Sequence, residues 1–113
     1  MATFFEKKSI ALVAIALTTL STQAPAVTVR GARSCGEWVE HRQEKTMSTL
    51  ATEAWVVGFL SGIAIVRDKD FLKETDAPSI FLWMDKYCKA NPLKRTNDGG
   101  IELYFELVKQ KRL

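Results

Sequence analysis

Two cysteines and one histidine are the residues of this chain best suited to chemistry. Cys35 and Cys88 are its only cysteines. They lack the C-x-x-C spacing of common metal and redox motifs, so in an oxidising compartment we expect a disulfide rather than free thiols or metal ligands. Such a bond would close a loop of about 54 residues, worth roughly 4 kcal/mol by the chain-entropy estimate.

The single histidine gives a weaker signal. Glu37 and His41 lie four positions apart in a helical segment, close enough to share a metal ion, but no third ligand is obvious. We therefore expect a solvent-facing pair. Asp68-x-Asp70 begins like a calcium loop, yet it lacks the turn glycine and the closing glutamate, which favours a simple helix break.

Motifs for catalysis are missing from the sequence. It has no G-x-S-x-G elbow, no H-E-x-x-H pair and no phosphate-binding loop. We therefore expect a protein that is not an enzyme, with no catalytic residue, no cofactor and no metal.

Small and aromatic residues mark one candidate surface. Gly58 and Gly62 lie one helical turn apart, where another backbone could approach closely. Intramolecular packing there would leave no room for a larger side chain at Gly62, and the alternative is a groove for a ligand or a partner. Trp55 and Trp83 are large rings of the kind found in cores and at interfaces. Together these four residues form a candidate partner-binding or packing face.

The first 26 residues resemble an export signal. Lys7 and Lys8 precede an apolar run over 9–20, and Ala24-Pro25-Ala26 matches a cleavage site. We expect 1–26 to be a signal peptide and 27–113 to be a single domain, periplasmic or secreted, from a Gram-negative bacterium. The run over 9–20 and the apolar stretch over 54–66 are both shorter than the about 20 residues of a spanning helix, so no stable membrane span is expected.

The charge balance limits the partners. The net charge is +3, and loss of the leader lowers it by one, which is too mild to indicate nucleic acid. The basic run over 109–112 complements the negative end of a helix, or could touch an anionic membrane or an acidic partner.

The chemistry-bearing residues must be positioned by helices, because helical periodicity is present throughout and strand-like alternation is missing. The first helix begins after Ser34 as N-cap and fades over 45–47. The second helix is capped by Ser48 or Thr49. Apolar residues cover so much of its circumference that we expect it to be central and largely buried. Its predicted apolar positions, up to the break at 68–70, are Leu50, Ala54, Val56, Val57, Phe59, Leu60, Ile63, Ala64 and Val66.

Two further helices follow. The third opens at Asp76 as N-cap with Pro78 in its first turn, and Asn91-Pro92 ends it. The fourth follows a predicted turn over 96–100. Its predicted buried face is Ile101, Tyr104, Phe105 and Val108.

Three segments carry a resemblance to known families. They are Ser34-Cys35-Gly36-x-Trp38, the stretch over 53–62 (EAWVVGFLSG) and the stretch over 83–93 (WMDKYCKANPL). Their order resembles small exported bacterial proteins, in particular the HdeA-type acid-stress chaperones and the Tai-type immunity proteins that block type VI secreted amidases. The resemblance implies a small, helical, disulfide-containing periplasmic protein.

These observations together predict an all-α fold, a small HdeA-like orthogonal bundle of four helices with one Cys35–Cys88 disulfide. The expected function is non-enzymatic binding of another protein. An HdeA-like stress or chaperone role, with unfolded proteins as clients, comes first. Tai-type inhibition of a secreted toxin is the alternative, and a homodimer is left open.

Overall fold

The computed structural model describes residues 27–113, and the predicted signal peptide over 1–26 lies outside the described residues. Within this range the chain forms four helices and no strand, which confirms the all-α prediction. The helices are α1 (Cys35–Glu44), α2 (Met47–Arg67), α3 (Ala77–Ala90) and α4 (Thr96–Lys111). α1 packs against α2 and α3, and α4 packs against the same two helices.

α1 begins where the sequence predicts. The Ser34 hydroxyl accepts a hydrogen bond from the Glu37 backbone N–H at 3.1 Å, and the Glu37 carboxylate accepts one from the Ser34 N–H at 2.9 Å. This reciprocal capping box satisfies two backbone donors that the helix itself leaves free. The helix ends at Glu44, and the next residue, Lys45, has a left-handed φ of 52°.

α2 is longer and more exposed than predicted. It starts at Met47, one or two residues before the predicted caps, and its 21 residues include an 18-residue window of mean hydropathy 1.7. By length and composition α2 could therefore cross a membrane, which the shorter apolar stretch in the sequence did not suggest. Only 22% of that window is buried.

The predicted central burial of α2 is thus wrong, because the other three helices cover only one side of it. The buried side consists of Thr49, Thr52, Val56 and Leu60. Leu50, Ala54 and Val66, which were predicted to belong to the apolar stripe, are exposed.

α3 agrees with its predicted start and end. The Asp76 carboxylate accepts a hydrogen bond from the Ser79 N–H at 2.8 Å, and Pro78 lies in the first turn. After Ala90 the Asn91 N–H still donates to the Tyr87 carbonyl at 2.9 Å before Pro92 prevents continuation.

α4 starts earlier than predicted, at Thr96, so the predicted turn over 96–100 is wrong. The Asp98 carboxylate accepts from the Arg95 N–H at 2.9 Å and stabilises this first turn. A Cβ at Gly100 would lie 2.8 Å from the Phe59 ring, so the missing side chain lets α4 approach α2 closely.

This close approach sets the rotation of α4. The predicted buried face is correct at Tyr104 and wrong at Ile101 and Phe105, which are exposed. The helix instead buries Leu103, Tyr104 and Leu107.

Two connections join the helices at one end of the bundle. Cys35 and Cys88 form the predicted disulfide, with their Cα atoms 4.7 Å apart, and link α1 to α3. Beside it the Cys35 N–H donates to the Lys94 carbonyl and the Thr96 N–H donates to the Arg33 carbonyl, both at 2.8 Å. These backbone bonds attach the start of α4 to the start of α1. The fully buried large side chains of the core include Trp38, Leu60, Phe71 and Met84.

Candidate functional site

One side of α2 remains open to solvent, and it is strongly apolar. Met47, Ile65 and Val66 are each about four-fifths exposed. We call this surface the α2 outer face. It consists of Met47, Leu50, Ala51, Ala54, Gly58, Gly62, Ile65 and Val66, all of which are exposed.

Gly58 and Gly62 lie in the middle of this face. Beyond the backbone of its own helix and its chain neighbours, a Cβ at either glycine would meet no atom of the described chain within 4 Å. The expectation that intramolecular packing fills this position, and that a larger residue at Gly62 would clash, is therefore wrong. A groove of about 380 Å³ lies here instead, lined by Gly58, Phe59, Gly62, Ile63, Val66 and Arg67.

The close approaches are made by other glycines. A Cβ at Gly99 would lie 2.7 Å from Met84 Cε and 2.8 Å from Tyr87 Cδ1. A Cβ at Gly100 would likewise lie 2.8 Å from the Phe59 ring. In the sequence, Gly58 and Gly62 look no different from Gly99 and Gly100. The rotation of each helix about its own axis determines which of the two pairs is covered by another helix.

Trp55 borders the α2 outer face. Its ring stacks on Phe59 with centroids 5.0 Å apart, and its indole N–H donates to the Arg30 carbonyl at 2.9 Å. Gly31 has a φ of 81°, and a Cβ there would lie 2.6 Å from the indole nitrogen. The chain before α1 is therefore fixed against Trp55, beside the open glycines.

Trp83 does not belong to the same surface. It stacks on Tyr87 with centroids 5.4 Å apart, and its indole N–H donates to Glu106 Oε2 at 2.6 Å. It therefore lies in a groove between α3 and α4. The structure brings Trp55, Gly58 and Gly62 together and places Trp83 elsewhere.

A network of charges joins α1, α2 and α3, and sequence reasoning missed it. The Arg42 guanidinium donates to both Asp85 carboxylate oxygens at 3.0 and 3.1 Å and to Glu53 Oε1 at 2.8 Å. The buried Trp38 indole also donates to Asp85, at 2.8 Å. The Asp85 hydrogen bond, followed by the one to Glu53, raises the pKa of Arg42 against the opposing effect of burial.

No sequence signal could have found this network, because its members are 11 to 47 positions apart on three helices. The guanidinium also lies 5.4 Å from the Phe81 ring centroid. Each charge in the network has an opposite charge in contact, so we assign it to holding the three helices in place.

His41 and Glu37 are engaged separately. His41 Nδ1 lies 2.7 Å from the Thr52 hydroxyl, which itself donates to the Ser48 carbonyl, so the histidine nitrogen must be the donor. The Glu37 carboxylate accepts from the Ser34 N–H and so belongs to the α1 cap. Within residues 27–113 no three His, Cys, Asp or Glu side chains are grouped so that they could hold a metal ion.

The described chain thus offers two surfaces with distinct chemistry. The α2 outer face is apolar and uncharged at its centre, and the groove at Trp83 combines aromatic rings with a carboxylate. Comparisons with protein-family models, with curated proteins and with solved structures find no match for this chain.

Proposed function

We propose that this protein acts without catalysis, by binding an apolar segment of another protein on the α2 outer face. The single observation that carries the proposal is the open space over Gly58 and Gly62. A glycine inside a helix costs roughly 0.5–1 kcal/mol relative to alanine. Nothing in the described chain uses the space that these two glycines provide, whereas a partner backbone could.

The surroundings of the glycines support the same proposal. Met47 and Leu50 flank them on one side and Ile65 and Val66 on the other, all exposed. Exposed apolar surface that is this continuous is typical of interaction sites. An apolar helix or extended segment would approach the backbone closely at the glycines and contact the larger side chains at both ends.

A chaperone-type role, in which the face holds apolar segments of unfolded clients, is our first candidate. The alternative, immunity against a secreted toxin, is supported by the Arg42 network and the disulfide. Both favour a preorganised surface of the kind that binds one folded partner tightly. Export remains part of the proposal. The disulfide suits an oxidising compartment, and the chain isolated from the periplasm should begin at Val27.

The test compares two variants that each introduce one glutamate, at different surfaces. Gly58→Glu places a carboxylate in the groove, and Leu82→Glu places one on an exposed apolar position of α3. Both should fold, since neither position is packed. We expect the parent and Leu82→Glu to suppress aggregation of a heat-unfolded client, measured by light scattering, and Gly58→Glu to lose that activity.

The outcomes separate the candidates. Equal suppression by Gly58→Glu and the parent contradicts the proposed face. If acidification increases dye binding to apolar surface and client aggregation still proceeds, the chaperone role is wrong and immunity becomes the first candidate. Binding of the parent to lipid vesicles, or concentration-dependent dimers in sedimentation, would assign the face to a membrane or to a second copy.

A further inference from the structure

We propose that the groove between α3 and α4 binds the guanidinium group of an arginine side chain on a partner protein. We call it the Trp83 groove, with a volume of about 320 Å³. It is lined by Trp83, Lys86, Tyr87, Ala90 and Glu106. It shares no residue with the α2 outer face, so this inference does not rest on the function proposed for that face.

The aromatic wall of the groove is fixed in place. Trp83 and Tyr87 lie one turn apart on α3, and their rings stack with an angle of 11° between planes. Both side chains are half-buried, and Gly99 of α4 brings its backbone against Tyr87. Half-exposed rings held this way present π-surface, on which a cation with a flat, weakly hydrated group can stack.

The acidic wall is also held in place. Glu106 accepts hydrogen bonds from the Trp83 indole at 2.6 Å and from the Gln110 amide at 3.3 Å. The carboxylate oxygens retain lone pairs for a further donor. Because Glu106 is already oriented by two donors, little of its freedom remains to be lost when a ligand binds.

Negative charge accumulates along this side of α4, although the chain as a whole is positive. Asp98 and Glu102 precede Glu106 at intervals of four residues. Burial, and then the charges of Asp98 and Glu102, raise the pKa of the Tyr87 hydroxyl, so both carboxylates contribute negative potential at this side chain. Lys86 is the cation that lines the groove. Among the described residues it forms no ion pair within 4.0 Å with Glu106.

An arginine side chain fits this combination better than other cations. Its planar guanidinium can stack on an indole and donate to a carboxylate in the same pose. A lysine ammonium is compact and strongly hydrated, so it cannot stack on the flat rings and should bind there more weakly. Trp, Tyr and Arg are the residues most enriched at the energetic centres of protein interfaces.

The experiment uses N-acetyl-arginine amide as the probe and the protein over residues 27–113 in its disulfide form. Trp83→Phe assigns the indole N–H signal of Trp83 in a nitrogen–proton NMR spectrum. We expect a saturable shift of that signal and little change at the other two indole N–H signals. N-acetyl-citrulline amide, the neutral analogue of the same shape, should bind about tenfold more weakly.

Two variants test the acidic wall. Glu102→Gln and Glu106→Gln should each weaken binding of the arginine probe several-fold. Glu40→Gln, on an exposed part of α1, should leave the binding of the probe unchanged. The glutamine at 106 can still accept from Trp83, so the groove keeps its shape. Equal binding of citrulline or of N-acetyl-lysine amide, or unchanged binding in both glutamine variants, would overturn the assignment.

Discussion

Single glycines decide where this chain packs and where it stays open. At Gly62 a methyl group would meet no atom of the described chain within 4 Å, and at Gly99 it would meet Met84 and Tyr87 below 3 Å. The two residues share a helical conformation, so their backbone cost is similar and their surroundings differ. Substituting each of them by alanine therefore measures how the open or occupied space beside the glycine affects the free energy of unfolding.

We predict opposite effects of the same substitution. Gly62→Ala should raise the free energy of unfolding by about 0.5–1 kcal/mol, because alanine restricts the unfolded chain and fits the helix without contact. Gly99→Ala should lower it by about 1–3 kcal/mol, because the added methyl overpacks the contact between α3 and α4.

Urea denaturation of the two variants beside the parent provides the measurement. A Gly62→Ala variant less stable than the parent would mean that the space over α2 is filled within the chain itself. That result would remove the main support for a partner on the α2 outer face.

At the scale of elements, the starts of α1 and α3 each carry a carboxylate whose pKa is lowered by its capping hydrogen bond. Hydrogen bonding to the Ser34 N–H lowers the pKa of Glu37 from its ordinary 4.5, and hydrogen bonding to Ser79 lowers that of Asp76 from 3.8. A carboxyl with a lowered pKa in the folded state stabilises that state above its ordinary pKa. The contribution is lost as the pH falls through the folded value.

We therefore predict that the thermal midpoint falls as the pH is lowered below about 4.5. Circular dichroism melts of the parent and of a Glu37→Gln/Asp76→Asn variant test this. The variant should have a lower thermal midpoint than the parent at neutral pH. Its midpoint should fall less in acid, since it has lost both titrating caps. Parallel pH curves would contradict the assignment, and Glu40→Gln, which leaves the caps intact, should follow the parent.

The sequence predicted the helix starts of α1 and α3 correctly. The Ser34 and Asp76 side chains each accept a hydrogen bond from a backbone N–H only three residues away, so the information is local. The start of α4 was predicted wrongly, because Gly99 and Gly100 are typical of turns when read alone. Their helical conformation depends on contacts with Tyr87 and Phe59 of other helices.

The candidate site shows the same limit. The spacing of Gly58 and Gly62 predicted a shared face, and the structure places both on one groove. Whether that face is covered depends on how α2 is rotated against three other helices, which no local pattern records. Trp83 was grouped with Trp55 by residue type alone, and the structure separates them.

For the whole molecule, the disulfide is the largest single constraint. It joins residues 53 positions apart in a small domain, whose core supplies little stability in excess of the entropy cost. We predict that Cys35→Ser/Cys88→Ser lowers the free energy of unfolding by about 2–5 kcal/mol. Urea denaturation with thiol titration of the parent tests this, and titratable thiols in the folded parent would contradict the bond.

The connections at the shared end of the bundle also imply an order in which the bundle opens. α1 is bonded to α3 through sulfur and to α4 through the backbone at Cys35 and Thr96. Within residues 27–113, α2 makes no backbone hydrogen bond to another helix. Thr49, Thr52 and Glu53 bond to α1 through their side chains, and the Trp55 indole bonds to Arg30 in the segment before α1. Because α1, α3 and α4 are joined by the disulfide and by backbone bonds, we predict that α2 is the helix that separates first when the bundle opens. Its loops would act as hinges, and the surface it leaves behind would be the inner face of the bundle.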